Sequence, residues 1–151
     1  MKPVTVSVAV PHSRESVWEF LNVLAHHEPF TDHMLVDWEY SGPPAGVGAK
    51  SRMRLNKPGR PDWIDLEVVE VEPPYRSVEE SLSCAGRRLT RGTYRLEEEP
   101  TGDTRVSFEF SWLRVPLAER LASPLTRAIV RRGNRRSLER LAEQLDTLFT
   151  A

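Results

Sequence analysis

Three imidazoles and two carboxylates crowd one short span, His26, His27, Glu28, Asp32 and His33, and imidazole with carboxylate is a donor set that suits zinc. Their spacing fits no tight ligand pattern such as His-Glu-x-x-His, and adjacent His26 and His27 would diverge on a helix. No metal and no cofactor is therefore expected. Gly46-x-Gly48 has the outline of a phosphate loop, but phosphate cradling uses amides at a helix N-terminus, and a strand-like run follows here. A tight turn is the simpler reading. Cys84, the single cysteine, could be a nucleophile beside a base, yet reads more simply as a small buried residue. The absence of a Gly-x-Ser-x-Gly elbow disfavours a serine hydrolase.

Glu80 is the sharpest candidate. It alternates with Val78, Leu82 and Cys84, which puts a carboxylate on an otherwise apolar strand face. A buried carboxylate needs a partner or holds its proton, and either state can serve binding or acid/base work. A slipped strand or a wet edge would instead leave Glu80 in water. Trp38, Tyr40, Tyr94, Phe108, Phe110 and Trp112 supply aromatic material that packs a core or lines a hollow. Arg127, Arg131, Arg132, Arg135, Arg136 and Arg140 form a basic band. Nucleic acid or anionic lipid would suit it, but the expectation is a solvated face paired with acidic strand residues and with Glu139 and Glu143.

These side chains must be held by the elements that the periodicities predict. Val4, Val6, Val8 and Val10 alternate as a half-buried strand, and Ser13 caps a short helix carrying Val17, Phe20, Leu21 and Leu24. A second short helix or turn follows near His26–Asp32. Strand two, 34–40, puts Val36, Trp38 and Tyr40 on one face, and strand three sets Ala49, Ser51, Met53 and Leu55 against Lys50, Arg52 and Arg54. Strand four, 63–71, contains Leu66 and shifts phase at Val68-Val69, as a bulge does. Strands five, six and seven follow as hairpins, the last pointing Val106, Phe108, Phe110 and Trp112 one way. The last helix, about 125–149, carries Leu138, Leu141, Leu145 and Leu148 at packed-seam spacing. That stripe fails at Gly133 and Asn134. Either the helix changes phase after Pro124 and buries Leu121, Leu125 and Ile129, or its middle faces a cavity.

One strand, short helices, six more strands and a long helix indicate an α+β fold in one domain over residues 1–151. Lys and Arg total 21 against 22 Asp and Glu, so global attraction to nucleic acid is not supported. Neither a signal-peptide core nor a stretch long enough for membrane insertion is found, and a cytoplasmic protein is expected.

Val8-Ala9-Val10-Pro11 before Ser16-Val17-Trp18, Ala25-His26-His27-Glu28-Pro29-Phe30, Gly46-Val47-Gly48, Val69-Glu70-Val71-Glu72-Pro73-Pro74 and Thr104-Arg105-Val106 together resemble the START-like, or Bet v 1-like, superfamily (SRPBCC), with its polyketide cyclase/dehydrase and lipid-transport group. The resemblance covers essentially the whole chain. It implies a helix-grip: a seven-stranded curved antiparallel sheet wrapped around the long C-terminal helix, with two short helices after strand one and a ligand cavity between sheet and helix.

The expected ligand is a small hydrophobic or amphipathic molecule, lipid- or polyketide-like. Its pocket is expected to be lined by Trp38, Tyr40, Met53, Leu66, Leu82, Phe108, Phe110 and Trp112, with Glu80, Tyr94 and Asn134 as polar contacts. No convincing acid/base pair appears, so binding or carriage is expected over catalysis. A polyketide cyclase or aromatase using Glu80, Tyr94 or Arg131 is the enzymatic alternative, and a regulatory module with a vestigial cavity is the other. Both monomer and homodimer are compatible with the sequence.

Overall fold

A computed structural model describes residues 1–150. Its seven strands form a single antiparallel sheet in the order β1-β7-β6-β5-β4-β3-β2. They are β1 (Val4–Val10), β2 (Leu35–Ser41), β3 (Lys50–Leu55), β4 (Trp63–Glu72), β5 (Arg76–Ser83), β6 (Arg88–Glu98) and β7 (Thr104–Arg114). Helices α1 (Arg14–Leu21) and α2 (His27–Thr31), joined through a 3-10 turn at Leu24–His26, follow β1. The short α3 (Leu117–Leu121) and long α4 (Ser123–Phe149) follow β7. This is the α+β helix-grip arrangement.

Local chemistry explains the elements. Ser13 caps α1, its Oγ accepting from the Ser16 amide at 3.2 Å, and Glu15 in the first turn meets the positive end of the helix dipole. The phase shift in β4 is a bulge, with register breaking between Val68 and Glu70. A second bulge lies in β2 between Val36 and Glu39, where Asp37 takes φ +58°. It turns Val36, opposite Arg54, away from the face that carries Tyr40, opposite Ser51, so Val36, Trp38 and Tyr40 do not form one regular row.

The main core lies between β1, β6, β7 and α4: Val6, Val10, Tyr94, Leu96, Val106 and Phe108 meet Leu138, Leu141 and Leu145. A second cluster, Leu24, Ala49, Met53, Leu66 and Val68, fills the β3–β4 side. At the α2 end a polar strap ties the layers. Arg140 donates to His33 Nδ1 at 2.9 Å and to the Pro29 carbonyl at 2.7 Å, and pairs with Asp32 at 2.6 Å. Arginine has only donors, so His33 Nδ1 accepts and Nε2 carries the proton given to the Gly133 carbonyl at 3.0 Å.

The helix settles the question raised by its interrupted stripe. Leu138, Leu141 and Leu145 are buried, whereas Leu121, Leu125 and Ile129 are exposed by 77, 63 and 63 %. The helix therefore does not change phase after Pro124. Its buried face continues from Leu138 back to Asn134, which is 8 % exposed.

Candidate functional site

Cross-strand register lays the inner face of the sheet out in rows. Nearest the main core, Val6, Phe108, Tyr94, Ser77 and Val71 stand side by side. The next row runs Val4, Phe110, Gly92, Glu79 and Val68. Beyond it come Trp112, Thr90, Ser81, Leu66, Ser51 and Tyr40. The β5–β6 part of these last rows is small or polar: Gly92, Glu79, Thr90 and Ser81. Large apolar groups ring it. Phe108 is buried, while Phe110 and Trp112 on the same inner face keep accessible surface, so α4 does not cover them completely.

The helix changes at the corresponding depth. Leu138 packs with Tyr94 and Phe108; one turn earlier come Asn134 and Gly133. A Cβ on Gly133 would lie 2.3 Å from the Met34 sulfur, so glycine lets Met34 press against the helix. A Cβ on Gly92 would lie 2.7 Å from the Phe108 ring and 3.1 Å from a Glu79 carboxylate oxygen. Glycine there lets Phe108 lie across β6 with Glu79 beside it.

Glu79 is the centre of the site. Surrounding protein pushes its carboxyl up to about 7, with burial the only cause. No described group neutralises it, in keeping with the rule that an unpaired carboxylate in an apolar setting holds its proton. Burial, then the neighbouring Glu79 charge, raises the Tyr94 phenol far above its ordinary range. Tyr94 sits between Phe108, at a ring distance of 4.5 Å, and the edge of His27, at 5.4 Å. Asn134 Nδ2 and Ser51 Oγ are buried with no hydrogen-bond partner from the protein, and buried polar atoms usually have one.

Several expected lining residues lie elsewhere. Glu80 is on the outer face, opposite Arg91 and bonded to it at 2.6 Å. Leu82 is also outside and exposed by 41 %. Counting apolar residues along β5 selects the wrong face, because its inner face is Ser77, Glu79, Ser81 and Ser83. The hairpin turn was the available signal. Pairing Ser83 with Arg88 across it fixes Glu80 opposite Arg91, a cross-strand ion pair suited to water. Tyr40 is at the rim, its hydroxyl donating to Glu28 at 2.6 Å, and Trp38 donates to the Leu35 carbonyl at 3.2 Å. Met53 and Leu66 are packed in the second core cluster. Tyr94, Phe108, Phe110, Trp112 and Asn134 share the inner layer with Glu79, which sequence reasoning missed.

The imidazoles of the first helices are structural ties. His26 Nδ1 contacts the Phe20 carbonyl at 2.8 Å and His27 Nε2 the Leu21 carbonyl at 2.7 Å. Burial lowers the His27 pKa to about 4. Among the described residues no group of three metal-ligating side chains converges. Cys84 is a half-buried turn residue at φ +53° rather than a buried core thiol.

The far end of the concave face is held by Arg88. Its guanidinium bonds Asp62 at 2.8 Å, Ser83 at 2.9 Å and Glu119 of α3 at 3.0 Å. Burial alone would raise the Asp62 pKa, but Arg88 and the Cys84 amide outweigh it and hold the carboxyl below its usual range. At the rim, an opening of about 270 Å³ is bordered by Leu24, Tyr40, Pro43 and Pro44. A second depression of about 490 Å³ at the β2–β3–β4 edge is lined by Tyr40, Ser51 and Leu66 together with the charged Lys50, Arg52, Asp65 and Glu67; the paired charges, Lys50 with Glu67 and Arg52 with Asp65, make it more polar than a usual small-molecule site.

Residues 1–146 match the family model described as polyketide cyclase / dehydrase and lipid transport. No curated protein sequence matches. Among solved structures, a Thermus thermophilus protein is similar at TM-score 0.75 and 19 % identity, covering 98 % of this chain and 99 % of its own. A conserved Geobacillus kaustophilus protein is similar at TM-score 0.77 and 13 % identity, covering 97 and 96 %. DynU16, a putative protein in the dynemicin biosynthetic locus, aligns at TM-score 0.69 and 23 % identity, covering 97 % of this chain and 48 % of its own. At these identities the similarity speaks to fold.

Proposed function

Because the chain belongs to the polyketide cyclase/dehydrase and lipid transport family, we propose that it binds one small apolar or amphipathic molecule between the sheet and α4. The molecule's apolar body lies on Phe108, Phe110 and Trp112. Its uncharged oxygen, a carbonyl or hydroxyl, meets Glu79 and Asn134. One observation carries this reading: beyond Phe108 the inner face of the sheet turns to small or polar residues, and on α4 Leu138 gives way to Asn134, whose buried Nδ2 has no protein partner. A mostly apolar hollow with a few convergent polar groups is the usual form of a small-molecule site. A carboxyl that keeps its proton near neutral pH can donate to a carbonyl, and Asn134 Nδ2 supplies a second donor.

The test is native mass spectrometry of copurifying molecules, combined with binding of an environment-sensitive apolar dye. Asn134→Trp should fill the hollow and Phe110→Glu should charge its wall, each abolishing binding while circular dichroism stays native. Unchanged binding in both folded variants would refute the placement.

A second reading, cyclisation or dehydration of a polyketide in the same space, is favoured by the Glu79 carboxyl. Burial pushes its pKa up to about 7, toward neutrality, the direction that general acid/base work needs. Glu79→Gln would then abolish conversion of a poly-β-ketone while leaving dye binding intact. If conversion of the poly-β-ketone is absent in wild type or undiminished in the variant, carriage is the remaining reading.

A further inference from the structure

The face of α3 and α4 turned away from the sheet has a composition that the ligand site does not use. Leu117, Leu121, Leu125 and Ile129 recur every four residues and are exposed by 68, 77, 63 and 63 %. Along α4, Leu125, Ile129, Arg132 and Arg136 follow at spacings of four, three and four. They lie opposite the buried line Asn134, Leu138, Leu141 and Leu145. The ridge is thus apolar at one end and basic at the other. Between Arg114 and Arg136 there are seven arginines and one acidic residue, Glu119, and Glu119 is already bound to Arg88. Arg114 and Arg127 donate to backbone carbonyls. Among the described residues, Arg120, Arg131, Arg132, Arg135 and Arg136 have no carboxylate within ion-pair distance, so the surface pairing expected from the sequence is not formed. With a whole-chain net charge of −1, the positive charge is concentrated here.

We propose that this ridge docks the protein peripherally on an anionic lipid surface, leucines in the headgroup–acyl boundary and arginines on lipid phosphates. Unpartnered guanidinium groups match phosphate in charge and geometry, and a basic helix with exposed leucines is the composition of an interfacial helix. The ridge projects rather than forming a groove, which suits a deformable lipid layer better than a rigid partner. A second copy in two-fold contact would set arginines against arginines if the ridges ran parallel and against leucines if they ran antiparallel, leaving the charges unpaired either way. Acidic protein would match the arginines and leave the leucines in water. Docking here is peripheral: among the described residues no helix is long and apolar enough to cross a membrane.

The experiment is co-sedimentation of the full chain with phosphatidylcholine vesicles and with equimolar phosphatidylcholine–phosphatidylglycerol vesicles. Binding is expected only to the anionic vesicles, with release by high salt. Arg132→Glu with Arg136→Glu should weaken it at least about 30-fold, since each lost basic contact is worth about fivefold. Leu125→Ser with Ile129→Ser should weaken it at unchanged charge, and all these positions are exposed enough for both variants to fold. No sedimentation, equal sedimentation with both vesicle types, or indifference to both double variants overturns the proposal. A wild-type dimer that Leu125→Ser with Ile129→Ser makes monomeric, without vesicle binding, would assign the ridge to self-association. Equally tight binding to soluble polyglutamate, insensitive to the leucine changes, would assign it to an acidic protein. Either result also overturns the proposal.

Discussion

Replacing Glu79 with glutamine should stabilise the protein, and only above a definite pH. In the folded chain burial pushes the carboxyl from its ordinary value of 4.5 up to about 7. Below 4.5 both folded and unfolded states hold the proton, and the group favours neither. Between 4.5 and 7 the unfolded state releases its proton while the folded state keeps it, so stability falls as pH rises. Above that window both states are ionised and the cost is constant. A shift of this size corresponds to about 3 kcal/mol as an upper bound, reduced by the water that still reaches the residue. Glutamine keeps the shape and cannot ionise. Urea unfolding at matched pH should therefore show Glu79→Gln close to wild type near pH 4 and about 1–3 kcal/mol more stable near pH 8. His27 acts in the opposite sense. Its folded pKa is lowered from 6.5 to about 4, so its contribution is present above 6.5 and is lost as pH falls toward 4. The two slopes oppose each other in wild type, and removing Glu79 should uncover the rise due to His27. A stability difference that is the same at every pH would refute the claim that Glu79 is an unpaired acid in a desolvated site.

Gly92→Ala should cost about 1–3 kcal/mol, because the new methyl meets the rigid Phe108 ring; chemical denaturation measures it, and loss of dye binding should accompany it. Gly133→Ala should be close to neutral, since the roughly 1 kcal/mol gain in helix propensity offsets the displacement of flexible Met34. A loss above that scale would mean that Met34 cannot move. Arg88→Ala should leave Asp62 and Glu119 unpaired, lower the melting temperature and speed hydrogen exchange in α3 and residues 56–62. Unchanged exchange there would show that Arg88 does not hold that end shut. Leu141→Ala, at a fully buried seam position, should cost about 2–5 kcal/mol in equilibrium unfolding.

The sheet order, with β1 beside β7, is set by non-local pairing, and Leu148, expected in the seam, is exposed by 55 %; the β4 bulge and the Leu138, Leu141 and Leu145 seam were legible because each rests on local periodicity. The inner face of β7 was legible for the same reason: Val106, Phe108, Phe110 and Trp112 are apolar and face the helix. β5 was misread because it breaks the rule that apolar residues face inward. Its serines and Glu79 face in, while Leu82 faces water and Val78, on the same outer face, is buried. The β2 bulge at Asp37 was invisible because nothing in Val36-Asp37-Trp38 reverses the alternation. The orphaned state of Asn134 and Ser51 depends on what stands opposite them in space, which no single segment encodes. Likewise, the sequence does not encode which bases the acidic strand residues meet: Asp65 pairs with Arg52 and Glu67 with Lys50 inside the sheet, not with the arginine band.

The position of β1 carries a consequence for how the molecule is assembled. Strands β2 through β7 form a meander in which each pairs with its sequence neighbour, whereas β1 joins β7 across about a hundred residues, Val4 opposite Phe110. Closing a loop that long costs more entropy than any hairpin in the sheet. The same step seats α4, because Arg127 bonds the Lys2 and Pro3 carbonyls and Asp146 bonds His12 at 2.7 Å. Strand docking and helix docking should thus be one late event, and the inner layer around Glu79 is completed only then. Pulse-labelled hydrogen exchange during refolding should protect the β1 and α4 amides together and after those of β4–β6. A ligand present in the refolding mixture would therefore accelerate nothing before that step, and would act on the finished protein by slowing its opening.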